Sequence, residues 1–145
     1  MQGDQDGSTA GTSRESGLAD AGLTRVTIGA FYDVYNELGY GFLEAVYRKA
    51  LAVRLHERGL SVRQEVLFEM TYHGVDIGQY RAEVIVADSV VVEVKSVERL
   101  ALAHHAQLSN YMRASGLGLG LLLNFGLQPT VKRRLISGRI RSDPI

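Results

Sequence analysis

At 145 residues, 46% of them hydrophobic, the chain is long enough for one domain with a core of its own and too short to expect two. It has no cysteine, which excludes disulfide scaffolds, thiolate zinc sites and cysteine nucleophiles. The formal net charge is zero, but it is uneven: Asp4, Asp6, Glu15 and Asp20 stand against Arg14 in the first 21 residues, while Lys132, Arg133, Arg134, Arg139 and Arg141 crowd near the C-terminus, as a phosphate-contacting cluster or as a solvated chain end.

No basic, apolar leader opens the sequence, and no window approaches the ~18 apolar residues of a membrane span, so a cytoplasmic protein without membrane contact is expected. Residues 1 to 21 are rich in Gly, Ser, Thr, Asp and Gln without apolar periodicity. Such a stretch offers little to bury, so a disordered tail is expected there, ahead of a single domain over residues 22 to 145.

Ile28, Phe31, Tyr35 and Leu38 recur at helical spacing and predict a first helix over Leu23 to Leu38, stopped by Gly39. After Gly39-Tyr40-Gly41, Phe42 to Arg58 reads as a second helix with Leu43, Val46, Tyr47, Ala50 and Leu51 on its buried side, closed by Gly59. Glu44, near its start, shares a sector with Tyr47, Leu51 and Leu55 at the margin of that face. An i,i+4 pair with Arg48 and a functional role are both open to it.

Val66, Phe68, Met70 and Tyr72 alternate with Glu65, Leu67, Glu69 and Thr71 as in a half-buried antiparallel strand, and His73-Gly74 begins a turn region. Tyr80 to Ser96 reads as two further strands, which completes a meander. Leu100 to Ala114 predicts a helix ending at Gly116. Leu117 to Phe125 is the apolar run of a strand covered on both faces, and this order implies a parallel crossover. Val131 to Ser137 is read as a last edge strand. Gly116, Gly118 and Gly120 run into an apolar strand rather than a helix N-terminus, so they serve close packing and not phosphate binding.

The stretch from Tyr80 to Ser96 carries charge where a plain hairpin needs none. Side chains alternate along a strand, so Glu93 and Lys95 share one face. An odd loop such as Ala87-Asp88-Ser89 sets Glu83 opposite Glu93 and Arg81 opposite Lys95, whereas a two-residue loop puts the carboxylates on opposite faces. Two carboxylates with a lysine beside the second suit metal-dependent phosphodiester hydrolysis: hard oxygens hold Mg²⁺, and the lysine stabilises developing charge or orients the water. An E-x-K strand is equally a common surface ion pair. Gln107 and Tyr111 lie at i,i+4 on the following helix and can line a cleft above the sheet. His104 and His105 diverge by about 100° and are poor joint ligands.

Helix, meander with E-x-K on its third strand, crossover helix and strand together resemble the mixed-sheet α/β core of the PD-(D/E)XK nuclease superfamily. Gly41-Phe42-Leu43-Glu44-Ala45-Val46-Tyr47 fits the signature of the bacterial GxxExxY family grouped with those nucleases. Further matches are Tyr35-Asn36-Glu37-Leu38-Gly39, Tyr80-Arg81-Ala82, Gln107 with Tyr111, and Leu122-Leu123-Asn124-Phe125-Gly126. The resemblance implies a restriction-endonuclease-like fold and Mg²⁺- or Mn²⁺-dependent cleavage of DNA or RNA. It makes Glu44, Glu83, Glu93, Lys95 and Gln107 catalytic, with Glu44, Glu83 and Glu93 on the metal. Arg81, Tyr111, Lys132, Arg133 and Arg134 are the candidate substrate contacts, and a homodimer is left open. The family usually has aspartate where Glu83 stands. The alternative is a nuclease-fold module that binds nucleic acid or a protein partner without cutting.

Overall fold

In the computed structural model, which describes residues 8–136 and the side chains of residues 20–136, helices cover both faces of one five-stranded sheet. The elements are α1 (Ser8–Leu38), α2 (Glu44–Glu57), β1 (Val62–Tyr72), β2 (Val75–Val86), β3 (Val90–Lys95), α3 (Leu102–Ser115), β4 (Leu119–Phe125) and β5 (Pro129–Leu135). Strand order follows the chain, and all neighbours are antiparallel except β3 and β4, which the α3 crossover makes parallel. The mixed α/β class, the meander and the parallel strand are therefore as expected.

The core has two unequal layers. On one face, Phe31 and Val34 of α1 and Tyr47, Leu51 and Leu55 of α2 pack on alternate residues of the central strands, among them Val84, Val92 and Leu121. On the other, Leu108 and Met112 of α3 cover Val91 and Leu122. All seven residues of β4 are buried because both layers cover it. A Cβ at Gly120 would stand 2.6 Å from Met112 Sδ, so α3 rests directly on the β4 backbone and Gly120 has the packing role expected of it, whereas Gly116 (φ 74°) has open space around it and caps α3.

Three boundaries differ from expectation. Helix α1 starts at Ser8 and so runs through most of the expected tail, while residues 1–7 lie outside the described residues. Once the packed turns from Leu23 onward exist, each upstream residue adds a hydrogen bond without a new nucleus. Helix α2 starts at Glu44, so Leu43 becomes its extended N-cap and is 78% exposed; Val46 is exposed too, and the buried stripe is Tyr47, Leu51, Ala52 and Leu55. Strand β2 starts at Val75, where Asp76 and Gly78 hide the alternation, and with β1 it forms a ribbon that runs past β3. His73 (φ 49°) and Gly74 (φ 78°) make its two-residue turn. Of the expected last strand, Ser137 lies outside the described residues.

Candidate active site

The hairpin joining β2 to β3 closes at Val86↔Val90 over the odd loop Ala87-Asp88-Ser89, and its last ladder pair is Val84↔Val92. One step further the two strands fork. Glu83 and Glu93 are the next position beyond that pair, where the ladder has ended. The Val94 N–H donates to Glu83 Oε2 at 2.6 Å instead, and the Glu83 backbone N–H favours the charged form of Glu93. Arg81, expected across from Lys95, is carried away by the fork; it pairs in register with Leu67 of β1, and its Nη1 lies 3.6 Å from Glu65 Oε1.

Glu93 shares the α3-facing side of β3 with Val91 and is only 1% exposed, yet its Oε1 has no hydrogen-bond partner. Burial, with the charge of Glu83 adding to it, pushes its carboxyl up to about 8 against the pull of Lys95. Burial also raises Glu83, opposed by the Val94 N–H and by the charges of Lys95 and Arg48. Two carboxyls this close titrate as a unit. Lys95, two residues along the same face, is half-buried beside them.

Glu44 is the first residue of α2 and half-buried, and its charge raises both Glu83 and Glu93. Among the described residues, however, no three His, Asp or Glu side chains converge closely enough to hold an ion between them. The strand carboxylates therefore form the inner pair, with Glu44 acting on them by charge. Its placement follows from Tyr47, whose hydroxyl donates to Gly39 O and accepts from Phe42 N while its ring stacks on Phe125 at 4.3 Å. Ser96 Oγ donates to Phe42 O at 3.1 Å, which ties the end of β3 to the same loop.

On α3, Gln107 Nε2 donates to the Tyr111 hydroxyl at 2.9 Å. Burial and then the Glu93 charge raise the Tyr111 phenol, and its ring packs on the cluster of Val91 and Leu122 on the Glu93 side of the sheet. His104 Nδ1 accepts from Ala101 N and caps the helix. On β5, Lys132 pairs with Leu122 and Arg134 with Gly120, so both face the Glu93 side, whereas Arg133 pairs with Leu121 and faces the other. Lys132 is two strand spacings, about 10 Å, from Glu93.

Two contributors escaped sequence reasoning. Asn124, 1% exposed, accepts from Val97 N and donates to Val97 O, fixing the backbone just past Lys95. A lone amide in an apolar run was its signal, since a buried polar group needs partners. Arg48 brings a second cation to the carboxylates; its Nε is buried without a partner and its Nη1 lies 3.7 Å from Glu65 Oε1. No spacing rule announces that approach of a helix to a strand.

The family model of the PD-(D/E)XK nuclease superfamily matches residues 21–135, which includes every residue of this site. The chain belongs to that superfamily. Among solved structures, the crystal structure of SSO0001 is similar at 23% sequence identity with a TM-score of 0.52, over 63% of this chain and 48% of that one. That likeness speaks for the fold, and this chain spans about half the length of that protein. No curated protein matches the chain. Among the described residues no helix is long and apolar enough to cross a membrane.

PD-(D/E)XK nucleases generally use divalent metals, and the donor set here fits one. Glu93 Oε1 is an orphaned, buried oxygen beside a second carboxylate. A hard cation would satisfy it and remove the repulsion between the pair.

Proposed function

We propose that this PD-(D/E)XK protein is a Mg²⁺- or Mn²⁺-dependent nuclease of the GxxExxY type that hydrolyses phosphodiester bonds of DNA or RNA. The observation that carries the reading is the buried, unpartnered Glu93 Oε1, one step beyond the last β2–β3 pair as Glu83 is on the facing strand, and followed on the same face by Lys95. Glu83 and Glu93 would hold the cation, which when bound polarises the phosphate and acidifies a water. Lys95 places an ammonium where charge develops on the phosphate. Glu44, at the rim, draws cations and solvent toward the inner pair, and Gln107 holds the Tyr111 hydroxyl at the mouth. Lys132 and Arg134 meet flanking phosphates on this face; Arg81 extends the contact along the ribbon, and Arg133 does so only for a substrate that wraps the sheet edge.

A second reading, a nuclease fold that binds without cutting, is favoured by one observation: Glu83 Oε2 is already committed to Val94 N, where the GxxExxY resemblance has the shorter aspartate. Purified protein with Mg²⁺ or Mn²⁺ and single-stranded, double-stranded and structured DNA and RNA separates the two. Metal-dependent cleavage, faster in Glu83→Asp because the shorter side chain releases the Val94 N–H and turns to the ion, supports the enzyme. No cleavage in either protein leaves the binding module.

A further inference from the structure

Past the fork, the β1–β2 ribbon bends toward α3. Glu65 (φ 50°) and Glu83 drop out of the β1–β2 pairing between Gln64↔Val84 and Val66↔Ala82 without shifting the register, which shifts between Met70 and Thr71, and Tyr80 meets Tyr111 edge to face at 5.4 Å and 84°. Tyr80 stands between two hollows along α3. The inner one, about 400 Å³, has Gln107 and Tyr111 in its wall; the outer one, about 360 Å³, has Glu69 and Arg113; both include Tyr80 and Asn110. Each is of a size that takes a small organic group. The inner hollow opens over the side of the sheet that carries Glu93, because Tyr111 in its wall packs on the cluster of Val91 and Leu122, and Val91 and Glu93 share one side of β3.

We propose that this groove seats an unpaired nucleobase on the Tyr80 ring, so that the substrate of the site is single-stranded or locally unwound nucleic acid. The proposal rests on the nuclease reading and deepens it. A track for a duplex backbone would be uniformly basic, whereas the outer hollow offers one Arg113 against one Glu69. What the groove supplies instead is an aromatic ring approachable from two hollows and two side-chain amides, Gln107 and Asn110. These match the face and the hydrogen-bonding edge of a base, and both are hidden in a duplex. A base held on Tyr80 leads its neighbouring phosphate toward Glu83 and Glu93.

The test is fluorescence anisotropy with a labelled oligonucleotide and its same-sequence duplex, in Ca²⁺, for wild type, Tyr80→Leu and Tyr80→Phe. The single strand should bind more tightly than the duplex. Losing one stacked base, worth about 1–3 kcal/mol, should weaken strand binding about 5- to 150-fold in Tyr80→Leu, while Tyr80→Phe stays within about twofold. Asn110→Leu, at an exposed helix position, should also weaken strand binding and leaves the tyrosine pair untouched. Equal or tighter duplex binding, or strand binding indifferent to Tyr80→Leu and Asn110→Leu, overturns the proposal. Strand binding that depends on Tyr80 in a protein that never cleaves leaves the subsite standing and removes the nuclease. Metal-dependent cleavage of duplex that is indifferent to Tyr80→Leu does the reverse.

Discussion

The two sides of strand β3 make opposite uses of one short segment. Val90, Val92 and Val94 are fully buried against the α1 and α2 layer, whereas Val91, Glu93 and Lys95 face α3. Each buried valine contributes about 1.5–3 kcal/mol, and their neighbours across β4 continue the same apolar sheet. The other side offsets that gain by burying an acid whose Oε1 is unpartnered. The difference teaches that stability and chemistry are read from alternate residues here, so neighbouring substitutions should fail in different assays.

The comparison breaks most sharply at Val92. A Val92→Asp substitution puts an unpaired carboxylate into the apolar layer and should cost more than about 4 kcal/mol, seen as loss of the cooperative transition in circular dichroism melting. Three residues on, Lys95→Ala should do the opposite. Cleavage should fall about 10²- to 10³-fold for loss of a charge-stabilising group, while the melting temperature moves little, because Lys95 is only half-buried. A Lys95→Ala protein that melts like Val92→Asp would show that both sides of β3 hold the fold.

Glu93 gives a smaller, pH-dependent effect. Its carboxyl titrates near 4.5 when exposed and near about 8 in the fold, so between those values the folded chain holds an extra proton. The Glu93 contribution to metal-free stability is thus full below 4.5 and falls as pH rises toward about 8. Glu93→Gln, neutral throughout, should flatten that slope in melting experiments across the same window. Mg²⁺ at the upper end should restore stability to the wild type and not to the variant. The smallest effect concerns the N-terminus. Among the described side chains the first packed against the core is Leu23, and the Thr24 hydroxyl donates to the Asp20 carbonyl. Removing residues 1–19 should therefore shift the melting temperature by less than about 2 °C.

Much of this was legible because strand chemistry has a period of two. The side taken by Lys95 follows from counting, the burial of Leu119 to Phe125 from an unbroken apolar run, and of the two loop lengths open to the hairpin the Val86↔Val90 pair selects the odd one, which turns Glu83 and Glu93 to one side. The fork was not legible. Nothing in the valine run says that the ladder stops at Val84↔Val92 and that the Glu83 side chain then takes the Val94 N–H. Leu43 reads as core only when the helical period is extended two residues too early, across the extended N-cap at which α2 starts. The approach of Arg48 and the meeting of Tyr80 with Tyr111 depend on how a helix and a kinked ribbon cross the sheet, which local pattern does not encode.

The claim at the centre is that Glu83 and Glu93 together hold a divalent ion. Crystals soaked in Mn²⁺ and measured at the manganese edge test it directly. The account predicts one anomalous peak within coordination distance, about 2.0–2.6 Å, of both a Glu83 and a Glu93 oxygen, lost in Glu93→Gln. A protein that cleaves with Mn²⁺ yet shows no peak there, or binds the ion elsewhere, would contradict it.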